Sequence, residues 1–142
     1  MKIAIRYYSK GGNTRKLANA IADELQTEAL SVTSGLSHDT DILFLGSSVY
    51  AAGVDKEVRN FIEGLNVHVG QIVCFSTAAI LKSTYEQIKK LANSKGLTVS
   101  DKEYHCKGSF GILHKGKPDS KNIREIKAFA KDIALNEVPY AR

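Results

Sequence analysis

Apolar residues along the chain follow two alternating rhythms: short continuous runs, and stripes at helical spacing. A continuous run marks a strand buried on both faces, whereas a stripe at i, i+3, i+4 marks a helix with one face on a core. Residues 2–8, 41–47 and 71–75 are such runs and predict three buried strands. Residues 28–32 and 97–104 are weaker and predict two flanking strands. Residues 14–26 place Leu17, Ala18, Ile21, Ala22 and Leu25 on one helical face, and residues 55–64 do the same with Val58, Phe61 and Ile62, followed by Leu65. Residues 82–94 carry Ile88 and Leu91, and residues 120–134 carry Ile123, Ile126, Phe129, Ala130 and Ile133. Asp55 and Ser120 stand where helix N-caps are expected, and Gly96 where a helix should end. The polar stretches 9–13, 33–39, 47–54, 76–81 and 107–119 read as loops.

Five strands alternating with four helices predict an α/β fold with a doubly wound, five-stranded parallel sheet. Its crossovers should be right-handed. The length of 142 residues fits one domain, 1–142, without repeats or low-complexity tracts. Ligands of such sheets bind beyond the carboxyl ends of the strands, where the strand order reverses. That directs attention to the loops after the first, third and fourth strands.

The first of these loops, Tyr8-Ser9-Lys10-Gly11-Gly12-Asn13-Thr14, joins a buried strand to a helix. A helix start presents unpaired N–H groups and a positive dipole end, which suit a phosphate. Gly11 and Gly12 allow the backbone to wrap an anion, and Ser9, Asn13 and Thr14 add hydroxyl and amide donors. Neither GxxxxGK[ST] nor GxGxxG is present.

This segment resembles the amino-terminal signature of the flavodoxin family. Ile5, Tyr7, Ser9, Gly12, Thr14, Ala18 and Ile21 fall on its required positions, and Arg6 departs from an apolar or aromatic one. The resemblance implies strand order 2-1-3-4-5 and a non-covalently bound flavin mononucleotide (FMN). Its phosphate would be held by Ser9, Lys10, Gly11, Gly12, Asn13 and Thr14. The segment Gly46-Ser47-Ser48-Val49-Tyr50-Ala51-Ala52-Gly53 looks like the family's second flavin loop, which makes Ser48, Val49, Tyr50, Ala51 and Gly53 candidate contacts, with Tyr50 at the aromatic position flanking the ring. In the third loop Ser76, Thr77 and Ala78 are candidates, but the aromatic and acidic residues usual there are missing. After the fifth strand, Cys106-Lys107-Gly108-Ser109-Phe110-Gly111 is an unusual loop, in which Phe110 is expected to pack on the core.

The net charge of +5 and pI near 9.2 favour anionic partners. The lysines form no stripe interleaved with aromatics, so nucleic acid is not indicated. By resemblance the partners would be redox proteins, here acidic ones, and a basic rim would favour the more anionic reduced flavin. Cys74 and Cys106 match no CxxC or metal spacing, and the four histidines form no i, i+4 pair, so no metal site is predicted. No apolar run reaches the ~18 residues that span a membrane, and the start does not read as a signal peptide, so a cytoplasmic protein is expected. No nucleophile–base arrangement stands out. The expected function is an FMN-binding electron carrier between reductases and acceptor enzymes. Two alternatives stay open: a flavin-dependent NAD(P)H:acceptor reductase acting on a quinone-like substrate, and a flavin-free binding module on the same fold.

Overall fold

A computed structural model describes residues 1–50, 53–78, 84–108 and 116–136. The chain runs β1 (Ile3–Tyr7), α1 (Asn13–Leu25), β2 (Ala29–Ser31), β3 (Thr40–Tyr50), β4 (Gly53–Val54), α2 (Lys56–Glu63), β5 (Val69–Ala78), α3 (Tyr85–Ser94), β6 (Val99–Lys107) and α4 (Ser120–Asn136), with a short 3-10 turn at Val32–Ser34. The main sheet has the order β2-β1-β3-β5-β6, and all of its pairings are parallel. Counted over the five predicted strands this is 2-1-3-4-5. The order reverses between β1 and β3, so their carboxyl ends frame the switch point.

The sheet alternates which neighbour each strand residue meets. Ile5, Ile42, Phe44, Val73 and Phe75 face α1 and α4, where they pack on Leu17, Ile21, Ile126, Ala130 and Ile133. Ala4, Leu43, Leu45, Ile72 and Cys74 face α2 and α3, where they meet Val58, Phe61, Ile62, Ile88 and Ala92. Burying one large aliphatic or aromatic side chain in this way contributes roughly 1.5–3 kcal/mol. In the apolar surroundings of its face, the Cys74 thiol is pushed up to about 12 by burial, then by Glu103, and it stays protonated.

Four expectations need correction. The polar segment after the apolar run of β3 is not all loop: β3 continues to Tyr50 and folds back on β4, with Val49 opposite Val54. Ser76, Thr77 and Ala78 likewise belong to β5, paired with Ser47, Ser48 and Val49 of β3. Hydrophobicity misses both extensions because a ladder is made by backbone groups, which polar side chains do not interrupt. β6 runs on through Lys107, paired with Ala78. The cap of α4 is Asp119 rather than Ser120. Its Oδ1 accepts from Asn122 N at 3.0 Å, while Asn122 Oδ1 accepts from Asp119 N at 2.9 Å, a reciprocal box. Asp55 does precede α2, but its side chain makes no cap bond.

Arg6, the departure in the first strand, is buried at 7% exposure. Its Nε donates to Gly35 O at 2.7 Å and a terminal nitrogen donates to Ile5 O at 2.9 Å. It ties the β2–β3 connection to the sheet. Burial lowers its proton affinity, partly offset by Glu28.

Candidate functional site

The β1–α1 connection is shaped by one hydrogen bond and one glycine. Ser9 Oγ accepts from Gly12 N at 2.9 Å, and Gly12 takes φ 89°, a left-handed conformation that glycine adopts without strain. Lys16 N then donates to Gly12 O at 3.1 Å and closes the first helical turn. Gly12 supplies no side-chain cap to α1, and the first turn contains no acidic residue. A Cβ added at Gly11 or Gly12 would meet nothing within 4 Å, so the space beside this loop is open. Lys10 projects from the loop with its side chain 63% exposed and lies 3.9 Å from Asp55 Oδ1.

Beneath the loop, Thr14 joins three chain segments. Its fully buried hydroxyl is 3.1 Å from Ser47 O, 2.6 Å from Ser48 Oγ and 3.0 Å from Thr77 Oγ1. Ser47 O can only accept, so one consistent arrangement has Thr14 donating to it while Ser48 and Thr77 donate to Thr14. The methyl of Thr14 and the ring of Phe75 occupy the space at Gly46, where an added Cβ would lie 2.9 Å from Thr14 Cγ2 and 2.4 Å from Phe75 ring carbons. On the far flank Gly108 N donates to Ala78 O at 3.1 Å, and a Cβ at Gly108 would lie 2.8 Å from Asn13 Nδ2. Glycines at 46 and 108 therefore let β3, β6 and the first loop converge.

The α2–α3 side of the same strand ends is built differently. Ser47 Oγ makes a short hydrogen bond to Thr84 Oγ1, ahead of α3. Gln87 Oε1 accepts from Val54 N at 3.0 Å and holds β4. Two polar atoms are buried there without a partner among the described residues, Ser76 Oγ and Asp55 Oδ2. Burial raises the Asp55 carboxyl above its ordinary value, while Lys10 pulls it down and Glu57 pushes it up.

Of the candidates read from sequence, Ser9, Lys10, Gly11, Gly12, Asn13 and Thr14 form the connection and first turn, and Ser48 and Thr77 come to Thr14. Ser76 is one residue from Thr77 and faces the other side of the sheet, so the two hydroxyls do not meet. Ala78 is buried at the end of β5, and Gly53 pairs with Tyr50. Ala51, Ser109, Phe110 and Gly111, and the side chains of Val49 and Tyr50, lie outside the described residues. Sequence reading passed over Ser47 as a contact, and also Thr84, Asp55 and Gly108. The signal for Gly108 is a glycine at a strand end, where backbones approach closely. The partners of Ser47, Thr84 and Asp55 are distant in sequence, so no local pattern marks them.

Residues 4–139 match the flavodoxin domain, and the chain belongs to that family. An uncharacterized protein of Methanocaldococcus jannaschii is 31% identical over 151 residues, covering 96% of this chain and all 100% of that one. The flavodoxin-like domain-containing protein BilS of Clostridioides difficile is 28% identical over 144 residues, covering 88% of this chain and 81% of BilS. Among solved structures, a flavodoxin from the domain Archaea matches with a TM-score of 0.76 at 19% identity, over 95% of this chain and 97% of that one, which is a likeness of fold. Among the described residues no helix is long and apolar enough to cross a membrane.

Proposed function

We propose that this protein binds FMN non-covalently at the switch point and carries electrons between redox proteins. The observation that carries the reading is the hydroxyl cluster of Thr14, Ser48 and Thr77 under an open glycine turn with an uncapped helix start. Backbone N–H groups, hydroxyls and an amide converge there from separate segments, and that donor set fits a phosphate monoester. Ser9 shapes the turn, Gly11 and Gly12 leave room, Asn13 and Thr14 place their donors at the helix start, and Lys10 adds positive charge. Ser48 and Thr77 would donate hydrogen bonds from beneath. By the family resemblance, Val49, Tyr50, Ala51, Gly53, Ser76 and Ala78 would contact the ring system. When bound, FMN supplies one- and two-electron redox chemistry, and the protein's part is to hold and orient it and set its surroundings.

The test is reconstitution of the purified protein with FMN, riboflavin and FAD, followed by desalting and absorption spectroscopy. Retention of FMN with at least about tenfold preference over riboflavin, equivalent to ~1.4 kcal/mol, is expected for a phosphate-anchored ligand. Equal retention of FMN and riboflavin would remove the phosphate site, and a colourless protein in all three cases would leave a binding module. Steady NAD(P)H oxidation by the FMN-loaded protein alone would favour the reductase reading over a carrier.

A further inference from the structure

The two ends of the parallel sheet differ in their balance of surface charge. At the carboxyl end of the sheet, around the β1–α1 connection, stand Arg15 and Lys16 in the first turns of α1, Lys56 at the start of α2 and Lys107 at the end of β6, all exposed. The opposite end carries Glu28 before β2, Asp39 and Asp41 at the start of β3, and Glu63 at the end of α2, beside two exposed lysines, Lys2 before β1 and Lys95 after α3. The carboxyl end also carries Glu57 and Glu86 in the first turns of α2 and α3, against a further exposed lysine, Lys121, at the start of α4, and two other acids there are partly spent within the fold. Asp55 lies beside Lys10 with one oxygen buried, and Asp119 binds Lys117 at 2.7 Å. The placement of the cations runs against the local helix field, because positive side chains at a helix start oppose the macrodipole. Arg15, Lys16 and Lys56 thus gain nothing from the helix field at the positions they occupy.

We propose that the carboxyl end of the sheet is a cationic docking face for an acidic protein partner, oriented so that the partner meets the cofactor loops. The electron-carrier role of that partner rests on the proposed FMN function; the docking face rests on the charge distribution alone. A +5 protein attracts anions from every side, but a charge separation between its two ends also turns the molecule as it approaches. An acidic protein matches this face better than a nucleic acid does, since among the described residues the exposed cations named here are not interleaved with exposed aromatic rings that bases could stack on.

Two double variants of identical net charge separate local from global attraction. Lys16→Glu/Lys56→Glu changes the proposed face, and Lys2→Glu/Lys95→Glu changes the opposite end. Retention on immobilised poly-L-glutamate, followed by salt elution, needs no flavin. The face variant is expected to elute at clearly lower salt than the opposite-end variant. Circular dichroism and thermal melts of both variants confirm that each is folded. In a second arm the photoreduced FMN-loaded protein is mixed with hexacyanoferrate(III), an anionic one-electron oxidant. At low ionic strength the face variant should be oxidised at least about fivefold more slowly than the opposite-end variant, and the difference should vanish at high salt. Equal elution and equal rates for the two variants would overturn the proposal and leave only net charge. Tighter, face-dependent retention of poly-uridylate at about 150 mM salt, where polyglutamate is released, would overturn it in favour of nucleic acid. If FMN is not retained but the elution difference is present, the docking face stands and the redox reading falls.

Discussion

Halfway along β3 and β5 the sheet changes character without changing its burial. Ile42, Leu43, Phe44, Leu45, Ile72, Val73 and Phe75 are fully buried and apolar, while Ser47, Ser48, Ser76 and Thr77, at the carboxyl ends of the same strands, are 0–5% exposed and polar. Apolar burial stabilises a fold directly, whereas a buried hydroxyl does so only when it is hydrogen-bonded. The lower half therefore needs no explanation beyond packing. The upper half costs stability wherever its hydroxyls are unmet, and its composition makes sense as the floor of a polar ligand site.

The comparison can be broken most forcefully from the apolar half. Phe44→Ala deletes a fully buried ring between α1, α4 and the sheet. It should destabilise the protein by roughly 3–5 kcal/mol in urea unfolding, the usual cost of such a cavity. Where folded protein remains, its FMN affinity should change little, because Phe44 is outside the hydroxyl cluster. An affinity loss as large as the stability loss would show that the two halves are not separable.

In the polar half the two hydroxyl environments should respond in opposite directions. Thr14→Val keeps the shape but removes the hydroxyl shared by Ser47 O, Ser48 and Thr77. Orphaned buried partners cost about 1–3 kcal/mol, and FMN affinity should fall with stability. Ser76→Ala removes a hydroxyl that lacks a partner among the described residues. The flavin-free protein should lose nothing and gain up to about 1 kcal/mol. If Ser76→Ala instead weakens FMN binding while Thr14→Val does not, the ligand is held from the α2–α3 side and the present assignment of the floor is inverted.

Much of this was legible in the sequence, and the limits have identifiable causes. The apolar runs located β1, β3 and β5, and the helical stripes located all four helices, because both signals are local. The polar strand ends were not legible as strand: Ser47, Ser48, Ser76 and Thr77 read as loop, and only the β3–β5 pairing reveals their conformation. β4 is two residues long and exists through its partner. Arg6 was visible as a departure from an apolar pattern, but its target, Gly35 O, lies 29 residues away. The α4 cap was within reach, since Asp119 and Asn122 have capping-box spacing. For the candidate site, the first loop could be proposed from sequence because one strand–turn–helix segment contains it. The meeting of Thr14 with Ser48 and Thr77 spans 34 and 63 residues and belongs to the topology.

The smallest expected effect is at Asp55, and pH gives it a sign. Burial raises the carboxyl in the folded protein above its ordinary value, so as pH falls the folded state takes up this proton before the unfolded chain does. The ionised group therefore costs stability at neutral pH, and that cost is relieved as pH falls through the raised folded value. Asp55→Asn should be slightly more stable than the wild type at pH 7, with the gain shrinking to nothing below the ordinary carboxylate range. Paired urea melts across that range would show it. The lost contact to the exposed Lys10, at 3.9 Å, is too long and too solvated to reverse the sign. A variant less stable than the wild type at pH 7 would mean that the ion pair outweighs the unpartnered oxygen. Asp55 would then be a fastening of the first loop, and Ser76 Oγ would be left as the unpartnered buried atom on the α2–α3 side among the described residues.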